Sequence, residues 1–203
     1  MLARYLPPAS PTLRSAPPRG EQWLREVKFD GWRIQLHKHG GSAAAFTKNG
    51  HDHSSRVRWM VDALACLKGV RSLIIDGELV ACDGVPDFYR LHFHRHDHGL
   101  CVWAFDLLQH NGRDLRELPL VERKARLEKV IIAANAGWLH YSESFDDGFE
   151  LRKAADRMKL EGIVSKRRDA PYRSGKQSDW IKTKCATWRQ ANKERWRLFE
   201  RRS

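Results

Sequence analysis

The hydrophobic pattern of this chain changes period several times, and each change marks an element. From Trp23 to Lys48 apolar and polar side chains alternate through Val27, Phe29, Ile34 and Leu36, break at Gly40-Gly41 and resume to Phe46, which predicts a β-hairpin. Val57, Met60, Val61, Leu64 and Leu67 follow helical spacing, with Ser54 placed to cap the helix that carries them. Strand-like runs return at Leu73 to Ile75 and at Leu79 to Ala81. The Asp76-Gly77-Glu78 between them fits either a tight hairpin or one strand interrupted by glycine. Cys101 to Leu108 is another apolar strand, and beyond Pro119 the positions Leu120, Leu127, Val130 and Ile131 predict an amphipathic helix. A helix over Phe149 to Leu160 and short strands over Gly162 to Lys166 and Trp180 to Lys184 complete the pattern. Strands and helices are interspersed without regular βαβ units, so the expected class is α+β, with largely antiparallel sheets flanked by helices.

The two ends differ from this middle. Pro7, Pro8, Pro11, Pro17 and Pro18 make residues 1–22 an extended Pro-rich arm, and Trp188, Arg189, Lys193, Arg195, Trp196 and Arg197 make residues 186–203 a basic tail, leaving 23–185 as the central domain. Charge narrows the partners: 37 Lys and Arg against 25 Asp and Glu leave a net +12, which favours a polyanion, with nucleic acid the first candidate. Apolar runs such as Val130 to Ala134 fall short of the roughly 20 residues that a membrane helix needs. The N-terminus reaches Pro7 without the apolar centre of a secretory signal, so a cytoplasmic location is expected. Cys66, Cys82, Cys101 and Cys185 form no CxxC pair, which argues against a disulfide framework or a zinc ribbon. The alternating His92, His94, His96 and His98 read as a solvated loop rather than a metal site.

The segment that carries chemistry is Glu26-Val-Lys28-Phe-Asp30-Gly31-Trp-Arg33, a KxDGxR pattern on and beyond a strand. An amine with a pKa of about 10.4 is almost wholly protonated at neutral pH, so Lys28 becomes a nucleophile only beside other cations or out of water. Arg33, Lys182 and Lys184 are the candidates for that field. Lys182 and Lys184, two apart on a strand, point to one face, where one anion can meet both. Glu26 likewise shares the face of Lys28 and is a candidate for the edge of a base. Each of these residues also has a plainer reading: Lys28 as an exposed strand lysine, Glu78 and Glu161 as surface carboxylates paired with lysines, and Phe105 as core.

In order along the chain, these segments resemble the motifs of the adenylation domain of covalent nucleotidyltransferases, the superfamily of ATP-dependent DNA ligases, RNA ligases and mRNA capping enzymes. The order is most similar to the ligase domain of bacterial end-joining ligases of the ligase D type, over about Pro7 to Cys185. The resemblance implies the nucleotidyltransferase (ATP-grasp-like) fold and a lysyl-AMP intermediate on Lys28. It implies contacts to ATP from Glu26, Arg33, Lys48, Glu78, Phe105, Lys182 and Lys184. Lys48, in Phe46-Thr-Lys48-Asn49-Gly50, stands where the family usually has arginine. Glu78, in Asp76-Gly77-Glu78-Leu79-Val80, would touch the ribose or the metal site, and Phe105, in Val102-Trp-Ala-Phe105-Asp106, would stack on adenine. Glu161, in Glu161-Gly162-Ile163-Val164-Ser165-Lys166, would support a divalent cation, Mg2+ or Mn2+, and the lysines of Trp180-Ile-Lys182-Thr-Lys184 would bind the α-phosphate. Gly112-Arg-Asp114-Leu-Arg116 and Pro119-Leu120 follow as in DNA ligases.

The implied substrate is nicked or broken double-stranded DNA, joined during repair by a monomer associated with the bacterial nucleoid. The 19 residues after Lys184 are fewer than the roughly 50 of a small domain, so a basic tail is expected in place of the usual OB-fold lobe, with a separate OB-fold or end-joining protein as a candidate partner. Two alternatives stay open from the residues alone: an RNA ligase or capping-type enzyme, and a non-catalytic nucleotide- or DNA-binding remnant.

Overall fold

The computed structural model describes residues 4–81 and 99–200, with side chains as far as 193. The His92 to His98 run and Cys82 lie outside the described residues. Among the described residues, ten strands form two sheets. The first holds β1 (Ala9–Leu13), β10 (Gly175–Lys184), β9 (Gly162–Arg167) and β2 (Trp23–Lys28), in that order. The second runs β4 (Ser42–Thr47), β3 (Trp32–His39), β5 (Ser72–Ala81), β6 (Leu100–His110) and β7 (Arg113–Asp114), with β8 (Leu139–Tyr141) also paired to β6. Pairing is antiparallel except for β1 with β10 and β8 with β6. The sheets are therefore mixed, though largely antiparallel as the pattern predicts.

Four helices flank them among the described residues: α1 (Arg58–Ala65), α2 (Leu120–Ala134), α3 (Gly148–Arg157) and α4 (Ala186–Glu200). Helical spacing puts Met60, Val61 and Leu64 of α1 and Leu127 and Val130 of α2 into the largest core, against Ile34, Leu36, Leu73, Ile75 and Leu79 of the second sheet. Ile74, Phe105 and Leu108 point the other way and meet Ala9, Tyr172 and Trp180 between the sheets. Ala155 of α3 packs on Ile163 and Cys185 behind the first sheet. The layers are thus helix, sheet, sheet, helix.

Several local expectations change. The alternating run from Trp23 to Leu36 is two strands in different sheets, because residues 29–31 carry the chain from β2 to β3; the hairpin is β3 with β4. Gly31 permits this crossing, since a Cβ there would stand 2.2 Å from the Leu79 carbonyl oxygen. Asp76-Gly77-Glu78 lies within one continuous strand, with irregular pairing at Asp76/Gly77. Ser54 does not cap α1, whose N-cap is Val57; the Ser54 hydroxyl instead accepts from the Ala45 amide at 3.0 Å. Asp147 caps α3 by accepting from the Phe149 and Glu150 amides, and the helix ends at Arg157, before Lys159 turns to a φ of 59°. In the Pro-rich segment, β1 is a strand of the first sheet, while the Leu6 amide and carbonyl bond the Gln35 side chain on β3.

Candidate active site

Strand register assembles the site. On β9, Gly162 is paired with Lys28 on one side and Lys184 on the other, and Val164 with Glu26 and Lys182. Period-two alternation then directs Glu26, Lys28, Lys182 and Lys184 to one face of the sheet. Gly162 lets these strands close up, since a Cβ there would stand 2.1 Å from the Thr183 carbonyl oxygen. The face opens on a cavity of about 420 Å³ whose other wall is the second sheet, so the KxDGxR segment straddles both walls, Lys28 on one and Arg33 on the other.

At the cavity mouth, Lys28 Nζ lies 2.5 Å from Glu161 Oε2, and Lys184 Nζ lies 3.0 Å from Glu161 Oε1. One carboxylate thus bridges two ammoniums, with the Lys28 side chain 22% exposed. Partial burial and the neighbouring Lys28 and Lys184 depress the Lys182 pKa below the ordinary lysine value. This is the like-charge field that an incoming phosphate would relieve.

On the opposite wall, Arg33 forks onto Asp76 with both contacts at 2.6 Å, and the Tyr172 hydroxyl donates to the same carboxylate at 2.5 Å. Burial opposes the Arg33 charge, but Asp76 outweighs it and holds the guanidinium's pKa above its usual range. Glu78 pairs in register with Arg33. Burial pushes its carboxyl up to about 7; Lys28 and Arg33 oppose the shift, while Glu161 and Asp76 add to it.

The cavity floor is more crowded than expected. Phe105 is 8% exposed and carries the Arg33 guanidinium carbon 4.5 Å and the Lys166 ammonium 4.4 Å from its ring centre. Glu26 is buried, with Lys124 and Lys166 each at 2.8 Å and the Ser142 hydroxyl donating at 3.3 Å. Burial alone would raise its carboxyl, yet the two ammoniums hold it below the ordinary value. Lys166 is itself pulled down to about 8 by burial, reinforced by Lys124. Lys48 also lines the cavity, in a turn whose Lys48 carbonyl accepts from the Tyr5 hydroxyl.

Glu26, Lys28, Arg33, Lys48, Glu78, Phe105 and Lys182 therefore share one cavity, with Glu161 and Lys184 joined to it through the Lys28 ion pair. Sequence reasoning missed Asp76, Lys124, Lys166, Tyr172 and His53. Lys124 gave a readable signal, because it and the fully buried Arg123 stand four and three residues beyond Leu120, where an amphipathic helix faces its core. His53 also lines the cavity, with its Nε2 buried and lacking a hydrogen-bond partner. Burial, and then Arg56, lower its pKa.

Two facing sheets with a lysine-lined cleft between them define a nucleotidyltransferase domain of the DNA ligase type. The chain matches mycobacterial DNA ligase D complexed with ATP and MES at 30% identity and a TM-score of 0.75, covering 88% of this chain and 60% of that one. It matches the ligase domain from M. tuberculosis LigD at 30% identity and a TM-score of 0.77, over 88% and 59%. The chain belongs to the family described as ATP dependent DNA ligase domain, which matches residues 1–184. Among its relatives, the multifunctional non-homologous end joining protein LigD of Pseudomonas aeruginosa is 37% identical over 191 residues, 91% of this chain and 22% of that protein. The chain thus spans about a fifth of that relative's length. These matches favour DNA ligase over the RNA ligase and capping alternatives and bear out the expected fold.

Proposed function

We propose that this domain transfers AMP from ATP to Lys28 and then to a DNA 5′-phosphate for strand joining. The observation that carries this is the Lys28–Glu161–Lys184 bridge at the mouth of a cavity that Lys182 also lines. The Lys28 amine attacks the α-phosphorus, a P–N bond forms, and the bond to the pyrophosphate oxygen breaks. The ammonium proton has an acceptor in Glu161, already at hydrogen-bond distance. Lys182 and Lys184 then face the α-phosphate and stabilise its growing charge. A DNA 5′-phosphate oxygen next displaces Lys28 to give a DNA adenylate. Attack by a 3′-hydroxyl finally expels AMP and leaves a phosphodiester.

Glu26 and Phe105 bound the space for the base. A ring stacked on Phe105 must shift one of the two cations that cover it. Arg33 and Lys48 line the same cavity and are assigned to the ribose or the phosphates. Among the described residues no group of three or more His, Cys, Asp or Glu side chains is set to hold a metal. Glu78 and Glu161 are the carboxylates that would hold Mg2+ or Mn2+, Glu161 exchanging a lysine contact for the ion, because such an ion is commonly held by one or two carboxylates and completes its shell with substrate phosphate oxygens and water. When bound, the ion would supply charge neutralisation to the departing pyrophosphate.

Nicked or broken double-stranded DNA suits the net charge of +12. We place the domain at the bacterial nucleoid, as a monomer working beside an OB-fold or end-joining protein; no helix among the described residues is long and apolar enough to cross a membrane. Incubation with ATP and Mg2+ should add one AMP mass to the intact protein, reversibly with pyrophosphate, and Lys28→Ala should abolish the addition. Labelling by GTP in place of ATP, or labelling that survives Lys28→Ala, refutes the reading.

A further inference from the structure

We propose that Trp188, in the first turn of α4, is a positioning residue for the transfer of AMP to Lys28, so that the helix following the last strand belongs to the active site. The inference rests on the adenylylation reading and extends it to a segment beyond the residues that the family matches.

The Trp188 indole N–H donates to Asp30 Oδ2 at 3.0 Å, and the Lys184 ammonium lies 4.0 Å from the centre of the Trp188 ring. Asp30 stands two residues after Lys28, in the crossing between the sheets. Lys184 is held by the Glu161 carboxylate that also holds Lys28. The contacts therefore close a circuit: Lys28 to Glu161, Glu161 to Lys184, Lys184 to the Trp188 ring, and the indole N–H to Asp30, two residues from the start. The ring draws the ammonium through its negative face while the indole edge donates to a carboxylate.

The base of this circuit is fastened independently. The Cys185 amide donates to the Glu161 carbonyl at 2.9 Å, and the Thr187 amide and hydroxyl both donate to Asp156 Oδ1 at the end of α3, at 3.1 and 2.5 Å. The start of α4 is thereby tied to α3 and to the residue before Gly162. Trp188 is also partly buried against the cluster of Ala155, Ile163 and Cys185, so simple packing is the competing explanation. Packing needs a large apolar side chain there. It needs neither an N–H aimed at Asp30 nor a ring face beneath a lysine.

Two variants separate the explanations. Trp188→Phe keeps the apolar contact and the ring face but removes the donor to Asp30. Trp188→Leu keeps apolar packing alone. Single-turnover adenylylation by the full chain, followed by intact mass across a range of ATP concentrations, should show the maximal rate falling about tenfold for Trp188→Phe and further for Trp188→Leu. The half-saturating ATP concentration should stay within about threefold, because the contacts align reacting groups rather than form the nucleotide pocket. Equal rates for wild type and both variants overturn the proposal. So does a loss of rate that tracks the melting temperature and disappears on cooling, since that marks packing alone. Wild-type protein that takes no AMP from ATP instead overturns the adenylylation reading, whatever the Trp188 variants do.

Discussion

Replacing Glu78 with glutamine should stabilise the folded domain while impairing nucleotidyl transfer. Burial raises the Glu78 carboxyl from its ordinary 4.5 to about 7, a shift that Lys28 and Arg33 only partly offset and to which Glu161 and Asp76 add a smaller repulsion. Because the folded pKa lies above the unfolded one, the native state binds the proton more tightly and stability falls as pH rises between the two values. The penalty is absent below about 4.5 and complete above about 7. A shift of this size corresponds to ~3 kcal/mol at one pKa unit per 1.36 kcal/mol. For a domain of this length that is roughly 6–12 °C in Tm. Glutamine mimics the protonated acid and removes the penalty. Thermal unfolding of wild type and Glu78→Gln from pH 4 to pH 8, without divalent cations, should therefore give curves that nearly coincide at the acidic end and diverge toward pH 8, with the variant the more stable. Adding Mg2+ should narrow the gap by stabilising the ionised carboxyl. A gap that does not change with pH, or a variant less stable at pH 8, refutes the assignment of an unfavourable charge to Glu78.

Two other positions test the scaffold. Gly162→Ala puts a Cβ 2.1 Å from the Thr183 carbonyl oxygen and should spread β9 from β10 between Lys28 and Lys184. The expected result is adenylylation lowered at least a hundredfold in a mass assay, together with ~1–3 kcal/mol of lost stability from backbone strain. Asp106→Asn leaves the fully buried Arg123 guanidinium without the carboxylate it now meets at 2.8 and 2.9 Å, and should cost ~3–5 kcal/mol, read as a lower urea midpoint with an unchanged slope.

What could be read in advance was local. Alternation along a strand is enough to say that Lys182 and Lys184 share a face, and likewise Glu26 and Lys28, because the backbone repeats every two residues. The helix after Pro119 was equally legible, since its apolar spacing needs no tertiary knowledge. Strand order was not: nothing in residues 9–13 announces that they pair with residues 175–182, or that β9 inserts between β2 and β10. For that reason the distance between Lys28 and Lys184 could be anticipated only through resemblance. The crowding at Glu26 escaped notice for the same reason, since Lys124 arrives from α2 and Lys166 from β9. Ser54 shows the limit of capping rules, because a serine before a helix serves whichever amide is nearest, here that of Ala45. The break within the Trp23 to Leu36 run left a trace that was passed over, since the apolar positions shift from odd at Val27 and Phe29 to even at Ile34 and Leu36 across it.

That break has a mechanical consequence. Residues 29–31 are the shorter of the two covalent crossings between the walls of the cleft, the other running from β8 to β9 through α3, and Gly31 sits so near the Leu79 carbonyl that this short tether has no slack on that side. The gap between the walls is consequently gauged by main chain, much as a spacer fixes two plates. Exchanging side chains along the cleft would retune its charge and its fit to a base while leaving its breadth unaltered.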